Sequence, residues 1–570
     1  MVIVFVFTFW EARLCLDFFT GLYFYRCKVN KKGRLLTISE PFYIHYFHYL
    51  TIFSTLPQPY LQFPPFLRIF VFMTATDLAL LTISELGFEP LASQTLAINM
   101  LSAFVVGHLP DDVFILNGYA GTGKTSVVGA LVRALTHSKI NTVILAPTGR
   151  AAKVAGQTAG CRASTIHRRI YHPVGSGPST KIELSPNRAK DTIFILDEAS
   201  LITDTRDNRS VLAHLVRHVY ASGERCAMIL VGDRAQLPPV GQDNSPAMNH
   251  DRLRELGLNP VEATLGVTVR QAAESGILHN ATIVRHAITS YKSEPSTPKP
   301  ATDIFNSPVF KQMGKLPPLP GIAAEPPAIN IPQLELRGFD DIRAIPSNEL
   351  ADYLSSSWAS AGEEETLIIT RSNIRANRYN MHIRNMVMYA EEPLQQGDRL
   401  VICKNDYFWK ARNSQQGFIS NGETAIVKWV GRTEKMYGRY FTETELFLPG
   451  DGSTIGAMLM LRSLMAEGPS IPHSEMERFF QIVCNEQEGG THEKIMAAAN
   501  DPYYNALQAK YAYCVTCHKA QGGQWRHVYI DMGGIAPEAM DISFLRWLYT
   551  AMTRATERLY LINPTLKTDL

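Results

Sequence analysis

The chain has 570 residues, room for roughly three or four domains of about 100–200 residues each. Apolar residues make up 46%, ordinary for a protein that buries real cores, and the formal net charge is +2. That balance excludes a global basic field as the means of holding a polyanion, so any nucleic-acid site must be a local groove. Eight cysteines lie scattered without a disulfide framework, which fits a reducing intracellular setting.

Residues 1–72 differ from the rest. They hold 20 of the 56 aromatic residues, among them Phe5, Phe7, Phe9, Trp10, Phe18 and Phe19. They also carry seven Lys/Arg against three Asp/Glu, so the remaining chain sits at −2. Charges interrupt every apolar run, and none reaches the roughly 18–20 residues a bilayer span needs. Met1 to Trp10 lacks the basic start of a secretory signal. The stretch fits translation upstream of a true start at Met73, a genuine extension or targeting piece, or a membrane-associated segment.

From about Asp111 onward, short apolar runs alternate with helical stretches. Val113–Leu116, Thr142–Leu145, Thr192–Leu196 and Ala227–Val231 each read as a strand that is apolar on both faces. A parallel sheet covered by helices requires such strands. A second set follows at Thr366–Ile369, His527–Ile530 and Leu559–Ile562. Two α/β domains with parallel sheets are the natural reading. Between the sets, 292–331 is proline-rich, a flexible linker or surface insertion. Residues 396–508 contain turns at Gly397-Asp398-Arg399 and Asn421-Gly422-Glu423 beside the β-type run Ala425–Val430, which predicts a small β-rich inserted domain. The chain shows no internal sequence repeat.

Gly118-Tyr119-Ala120-Gly121-Thr122-Gly123-Lys124-Thr125 matches G-x-x-x-x-G-K-[ST] between an expected strand and an expected helix. Glycines let the backbone wrap a phosphate, and successive N–H groups with the helix start hold the charge. Gly118, Ala120, Gly121, Thr122, Gly123, Lys124, Thr125 and Ser126 are therefore expected to bind ATP. Lys124 is expected to reach the β- and γ-phosphates, and the Thr125 hydroxyl to ligate Mg²⁺. Asp197 and Glu198 close the next-but-one strand. Asp197 suits Mg²⁺, and Glu198 suits the attacking water. Paired acids there could instead cap a following helix. After the fourth strand, Gln236 in Gly232–Pro239 is a neutral residue suited to sensing the γ-phosphate.

Taken together these residues resemble superfamily 1B DNA helicases, in the RecD-like and Dda-like branch. Ala146–Lys153 resembles motif Ia and Ser164–His167 motif Ib. Asp197–Ser200 and Gly232–Pro239 resemble motifs II and III. Val269-Arg270-Gln271 resembles the arginine motif ending the first domain. His518–Gly522 resembles motif V, and Tyr549–Ala555 motif VI. The resemblance covers about 85–570 and implies two RecA-like P-loop NTPase domains plus an SH3-like insert. It lays them out as a first domain at 73–270 with a short pin at about 171–190, a second domain at 271–395 and 509–570 carrying the 292–331 insertion, and the insert at 396–508. It makes Gln94 an adenine reader and Arg270 and Arg554 two arginine fingers. Thr148, Thr165, His167, Asn373, Thr516, His518 and Lys519 become contacts to the strand, while Asn380 falls in the motif IV region with a less defined role. Mg²⁺ and ATP are the implied cofactors, and single-stranded and partially duplex DNA the partner, alongside replication, repair or recombination proteins. The implied setting is cytoplasmic, nucleoid-associated in a bacterium, with no membrane. The implied activity is ATP-driven movement, 5′ to 3′, along single-stranded DNA with duplex unwinding.

Four rivals stand beside this reading. Cys514–His518 matches C-x-x-C-H, a haem-attachment pattern, but it runs into the motif V resemblance at His518, and two buried or half-buried thiols flanking a strand-contact residue are the plainer reading. A zinc site would need a second ligand pair that nothing nearby offers. A nucleotide-dependent clamp or translocase would share the phosphate loop, and a RecD-like subunit of a nuclease–helicase complex would share the whole motor.

Overall fold

The computed structural model describes residues 73–174, 181–205, 210–221, 225–267, 274–291, 331–413, 418–450, 452–536 and 539–569, and within 1–72 only the backbone of four short strands. Met1–Phe72 and Met73–Leu570 are two separate units. In the first, Tyr23–Phe24 pairs antiparallel with Phe42–Tyr43, and Cys27–Val29 with Leu35–Ile38.

The second unit opens with helix α1 (Ala75–Leu86). Thr74 and Asp77 satisfy each other's backbone N–H groups at its start, and Gly87, with φ 77°, ends it. Helix α2 (Ala92–Gly107) packs on α1 and leads to β1 (Asp112–Gly118) and α3 (Lys124–His137). Then come β2 (Asn141–Ala146), α4 (Gly149–Ala159), β3 (Ala163–Thr165) and the short α5 (Ile166–Ile170). Strands β4 (Tyr171–Val174) and β5 (Lys181–Leu184) form an antiparallel hairpin in the stretch expected to hold a pin. Residues 175–180, between these two strands, lie outside the described residues. Next follow β6 (Thr192–Leu196), α6 (Val211–Tyr220), β7 (Ala227–Gly232) and β8 (Asn259–Leu265). The sheet order is β8-β1-β7-β6-β2-β3, all parallel. One face packs on α1, α2 and α3, and the other on α6. Covering both faces is why its central strands carry unbroken Val/Ile/Leu runs.

Helix α7 (Gly276–Ser290) precedes a second parallel sheet. Its strands are β9 (Ile342–Ile345), β10 (Thr366–Thr370), β16 (Cys514–Thr516), β17 (Trp525–Asp531) and β18 (Ala555–Ile562), in the order β9-β18-β17-β10-β16. Helices α8 (Leu350–Ala361), α9 (Asn373–Met386) and α12 (Ile542–Met552) pack around it. The proline-rich 292–331 stretch lies outside the described residues up to 330.

Between β10 and β16 an antiparallel sheet is inserted. It comprises β11 (Arg399–Ile402), β12 (Thr424–Met436), β13 (Arg439–Leu448), β14 (Ser453–Met460) and β15 (Ala509–Tyr511), in the order β14-β13-β12-β11-β15. The closing strand β15 lies just beyond the expected limit at 508. The second half of the insert is helical, with α10 (His473–Glu486) and α11 (Thr491–Ala499), rather than β throughout. The insert is rooted by a buried ion pair from Arg384 on α9 to Asp398, which also accepts from Tyr513 Oη (3.0 Å) and Gln395 N (2.8 Å). Such a pair holds only because every partner is satisfied.

Candidate active site in the interdomain cleft

The phosphate loop is built as its glycine spacing requires. Gly121 and Gly123 stand at φ 73° and 82°, a region costly for a side chain. Gly123 starts α3 with no side chain over the first N–H groups, which leaves a helix end suited to an anion. A Cβ on Gly118 would lie 2.7 Å from Lys124 Cγ. The Lys124 ammonium folds back on its own loop, donating to the Gly118 (2.5 Å) and Tyr119 (3.0 Å) carbonyls. Thr122 Oγ1 donates to the Tyr119 carbonyl at 2.8 Å, while Thr125 and Ser126 sit half-buried on the first turn.

Gln94 is fully buried on the first turn of α2. Its Oε1 accepts from Leu91 N (2.9 Å), and its Nε2 donates to the Thr122 carbonyl (3.0 Å). Each end of the amide expected to read adenine thus has one partner inside the protein.

Asp197 follows β6, with Glu198 held at φ 51° beside it. Asp197 accepts from Glu198 N at 2.9 Å. Burial, and then the neighbouring Glu198, push its carboxyl up to about 6 against an opposing pull from Lys124. Gln236 is buried and its Oε1 has no hydrogen-bond partner. A folded-back ammonium, an under-partnered carboxylate and an orphaned amide are the groups a nucleotide with a divalent cation would satisfy.

Arg554, just past α12, crosses to this cluster from the second domain. Its Nη1 lies 3.7 Å from Glu198 Oε1, and its Nε donates to the Thr550 carbonyl (3.0 Å). Arg270 lies outside the described residues. The domains are locked at several further points. Leu237 N donates to Thr550 Oγ1 (2.7 Å), and Gln521 Nε2 to the Leu237 carbonyl (2.7 Å). Arg150 donates to the Gln524 carbonyl (2.6 Å) and stacks 4.1 Å from the Trp525 ring. One apolar cluster runs through Ala235, Leu237, Phe544 and Leu548.

The residues expected to touch a strand fall in two groups. Thr148 and Thr165 cap α4 and α5, accepting from Ala151 N (3.2 Å) and Arg168 N (3.3 Å). Burial lowers His167, whose ring lies 5.5 Å from that of Tyr171. In the second domain Thr516 ends β16, His518 bonds to the Pro238 carbonyl, and Lys519 Nζ lies 3.6 Å from Cys403 Sγ. The two groups meet at Gly522, where a Cβ would lie 3.0 Å from both Thr148 Oγ1 and Ala151 Cβ. Asn373 opens α9 half-buried. Asn380 is structural: its amide bonds Cys514 N (2.7 Å) and the Cys514 carbonyl (2.9 Å). Cys514 and Cys517 are both buried, and burial raises both thiols. Sequence reasoning assigned no role to Asp233, Tyr549 or Arg150, because their partners lie hundreds of positions away.

The AAA domain family matches residues 104–276, and the UvrD-like helicase C-terminal domain matches 511–562. The uncharacterized protein R530 of Acanthamoeba polyphaga mimivirus is 21% identical over 82% of this chain and 98% of its own length. The ATP-dependent RecD2 DNA helicase of Deinococcus radiodurans is 30% identical over 29% of this chain, and the ATP-dependent DNA helicase dda of phage T4 is 31% identical over 26%. The matches span only 21% and 34% of those two helicases. A crystal structure of Pif1 helicase from Bacteroides with ADP-AlF3 and single-stranded DNA aligns with a TM-score of 0.40 at 15% identity, over 83% of this chain and 92% of that one. The chain thus carries an AAA domain match and a UvrD-like helicase C-terminal domain match, and is similar over about a quarter of its length to the RecD2 and Dda DNA helicases.

Proposed function

We infer that the chain is an ATP-dependent DNA helicase that moves 5′ to 3′ on single-stranded DNA and unwinds duplex ahead of it. The observation that carries this reading is the approach of Arg554 to Glu198 at 3.7 Å, which puts a second-domain guanidinium beside the acid pair of the first. A plain nucleotide switch needs no such partner. ATP phosphates would lie on the N–H groups of Gly121 to Thr125, with Lys124 turned from its loop carbonyls to the anion. Thr125 and Asp197 would hold Mg²⁺, which supplies charge neutralisation. Glu198 orients or deprotonates the attacking water, and Gln236 offers its amide to the γ-phosphate. Arg554, with Arg270 as a second arginine, offsets charge developing on the transferred oxygens.

Arg554 acts only when the cleft is closed, so each turnover closes and reopens it. That motion carries Thr148, Thr165 and His167 against Thr516, His518 and Lys519. Two groups gripping alternately convert it into a step, with sequence-independent phosphate contacts. The β4–β5 hairpin serves as the pin that splits duplex. ATP turnover measured with and without single-stranded DNA tests the reading. Turnover is expected to rise with the strand and to vanish in Lys124→Ala. Turnover that ignores the strand, or survives that substitution, contradicts it.

A further inference from the structure

Tyr549 is among the largest fully buried side chains, and it sits at the domain boundary without an assigned task. It lies on α12, one turn before Arg554, and is 1% exposed. Its hydroxyl accepts from Ala120 N of the phosphate loop at 2.9 Å and donates to Asp233 Oδ2 at 2.6 Å. Asp233 is itself fully buried, with Oδ1 taken by Ala235 N (2.9 Å). The hydroxyl therefore stands at a three-way junction of the phosphate loop, the loop bearing Gln236 and the helix leading to Arg554. Neighbouring bonds run the same way. Thr550, the next residue, holds Leu237 N, and Arg285 of α7 covers the Tyr119 ring at 4.3 Å.

We propose that Tyr549 is a positioning residue that ties the seating of α12, and so of Arg554, to the shape of the phosphate loop. This rests on the helicase reading above. The physical ground is the cost of stranding buried polar groups. If α12 withdraws, Ala120 N–H and the buried Asp233 Oδ2 both lose their partner. If the phosphate loop shifts, the hydroxyl loses its donor and α12 its anchor. The two movements are thereby coupled, although Tyr549 touches no reacting atom. Burial raises Tyr549, so the hydroxyl keeps its proton.

The test is a comparison of kcat and KM for strand-stimulated ATP hydrolysis by the full chain, the Tyr549→Phe variant, Asp233→Asn and the double variant. Phenylalanine keeps the ring in its packing, and thermal unfolding checks that it does. The proposal predicts a fall in kcat of about tenfold or more for Tyr549→Phe, with KM for ATP within about twofold, since the lost alignment matters at the transition state. It also predicts non-additivity: adding Asp233→Asn to the Phe background should lower kcat little further. Retention of kcat within about twofold, or fully additive effects, overturns it. A fall in kcat that follows a matching fall in unfolding temperature makes Tyr549 a mere packing residue and likewise overturns it. Wild-type turnover lost in Lys124→Ala is read in parallel. Absence of such turnover overturns the helicase reading and the coupling with it, whereas its presence isolates the result on Tyr549.

Discussion

The two parallel sheets share an architecture and divide the chemistry. In the first, β1 runs into a loop with two glycines, Gly121 and Gly123, and α3 begins after Gly123 with no side chain over its leading N–H groups. In the second, β10 runs into Arg371-Ser372, and the Ser372 hydroxyl accepts from Arg375 N at 3.3 Å as α9 begins. A helix start filled by its own serine does not cradle a phosphate, whereas a bare glycine start does. The second domain instead supplies Arg554 and the loop from Thr516 to Gly522. The contrast teaches that the fold alone does not make a nucleotide site; the first turn after a strand does.

Four substitutions sharpen this contrast, in falling order of effect. Lys124→Ala should lower ATP turnover by about three orders of magnitude or more while the protein stays folded by circular dichroism, because the phosphates lose their only mobile cation in the loop. Arg554→Ala should lower kcat by about 10²–10³-fold with nucleotide binding retained in a fluorescent-ADP titration, since its charge matters in the transition state. Equal loss of binding would make Arg554 part of the ground-state site instead.

The third acts on stability. Burial holds Asp197 near about 6, above its ordinary 3.8. The folded state thus keeps this proton longer than the unfolded state, and stability is lost as pH rises between those values. Asp197→Asn should remove that loss. Without metal or nucleotide, the variant should exceed the parent in stability above about pH 6 and match it below about pH 4. Thermal unfolding across that range reads the difference, and a variant less stable at neutral pH contradicts the assignment. The smallest effect is that of Ser372→Ala. It should cost about 1 kcal/mol in urea unfolding and leave KM for ATP unchanged.

Much of this was legible in the sequence for a local reason. The phosphate loop, the acid pair after β6 and the buried strands are set by residues within one or two turns of each other, so spacing carries the information. The contacts across the domain boundary are not local. Tyr549 meets Asp233 over 316 positions, and Arg150 meets Gln524 over 374, so no periodicity signals either. Gln94 is placed as a base reader by the family resemblance alone, and its bonds to Leu91 N and the Thr122 carbonyl are contacts that no local signal announces. Likewise the helical half of the insert hides behind turn signals that speak only for its first half.

The central claim is that closure of this cleft by Arg554 drives strand separation. Its most direct test is strand displacement by the full chain on partial duplexes bearing either a 5′ or a 3′ single-stranded tail, with Mg²⁺ and ATP. The account predicts unwinding from the 5′ tail alone, lost in Arg554→Ala although that variant still binds the strand. Unwinding from the 3′ tail alone would contradict the direction, and unwinding that persists without Arg554 would contradict the claim itself.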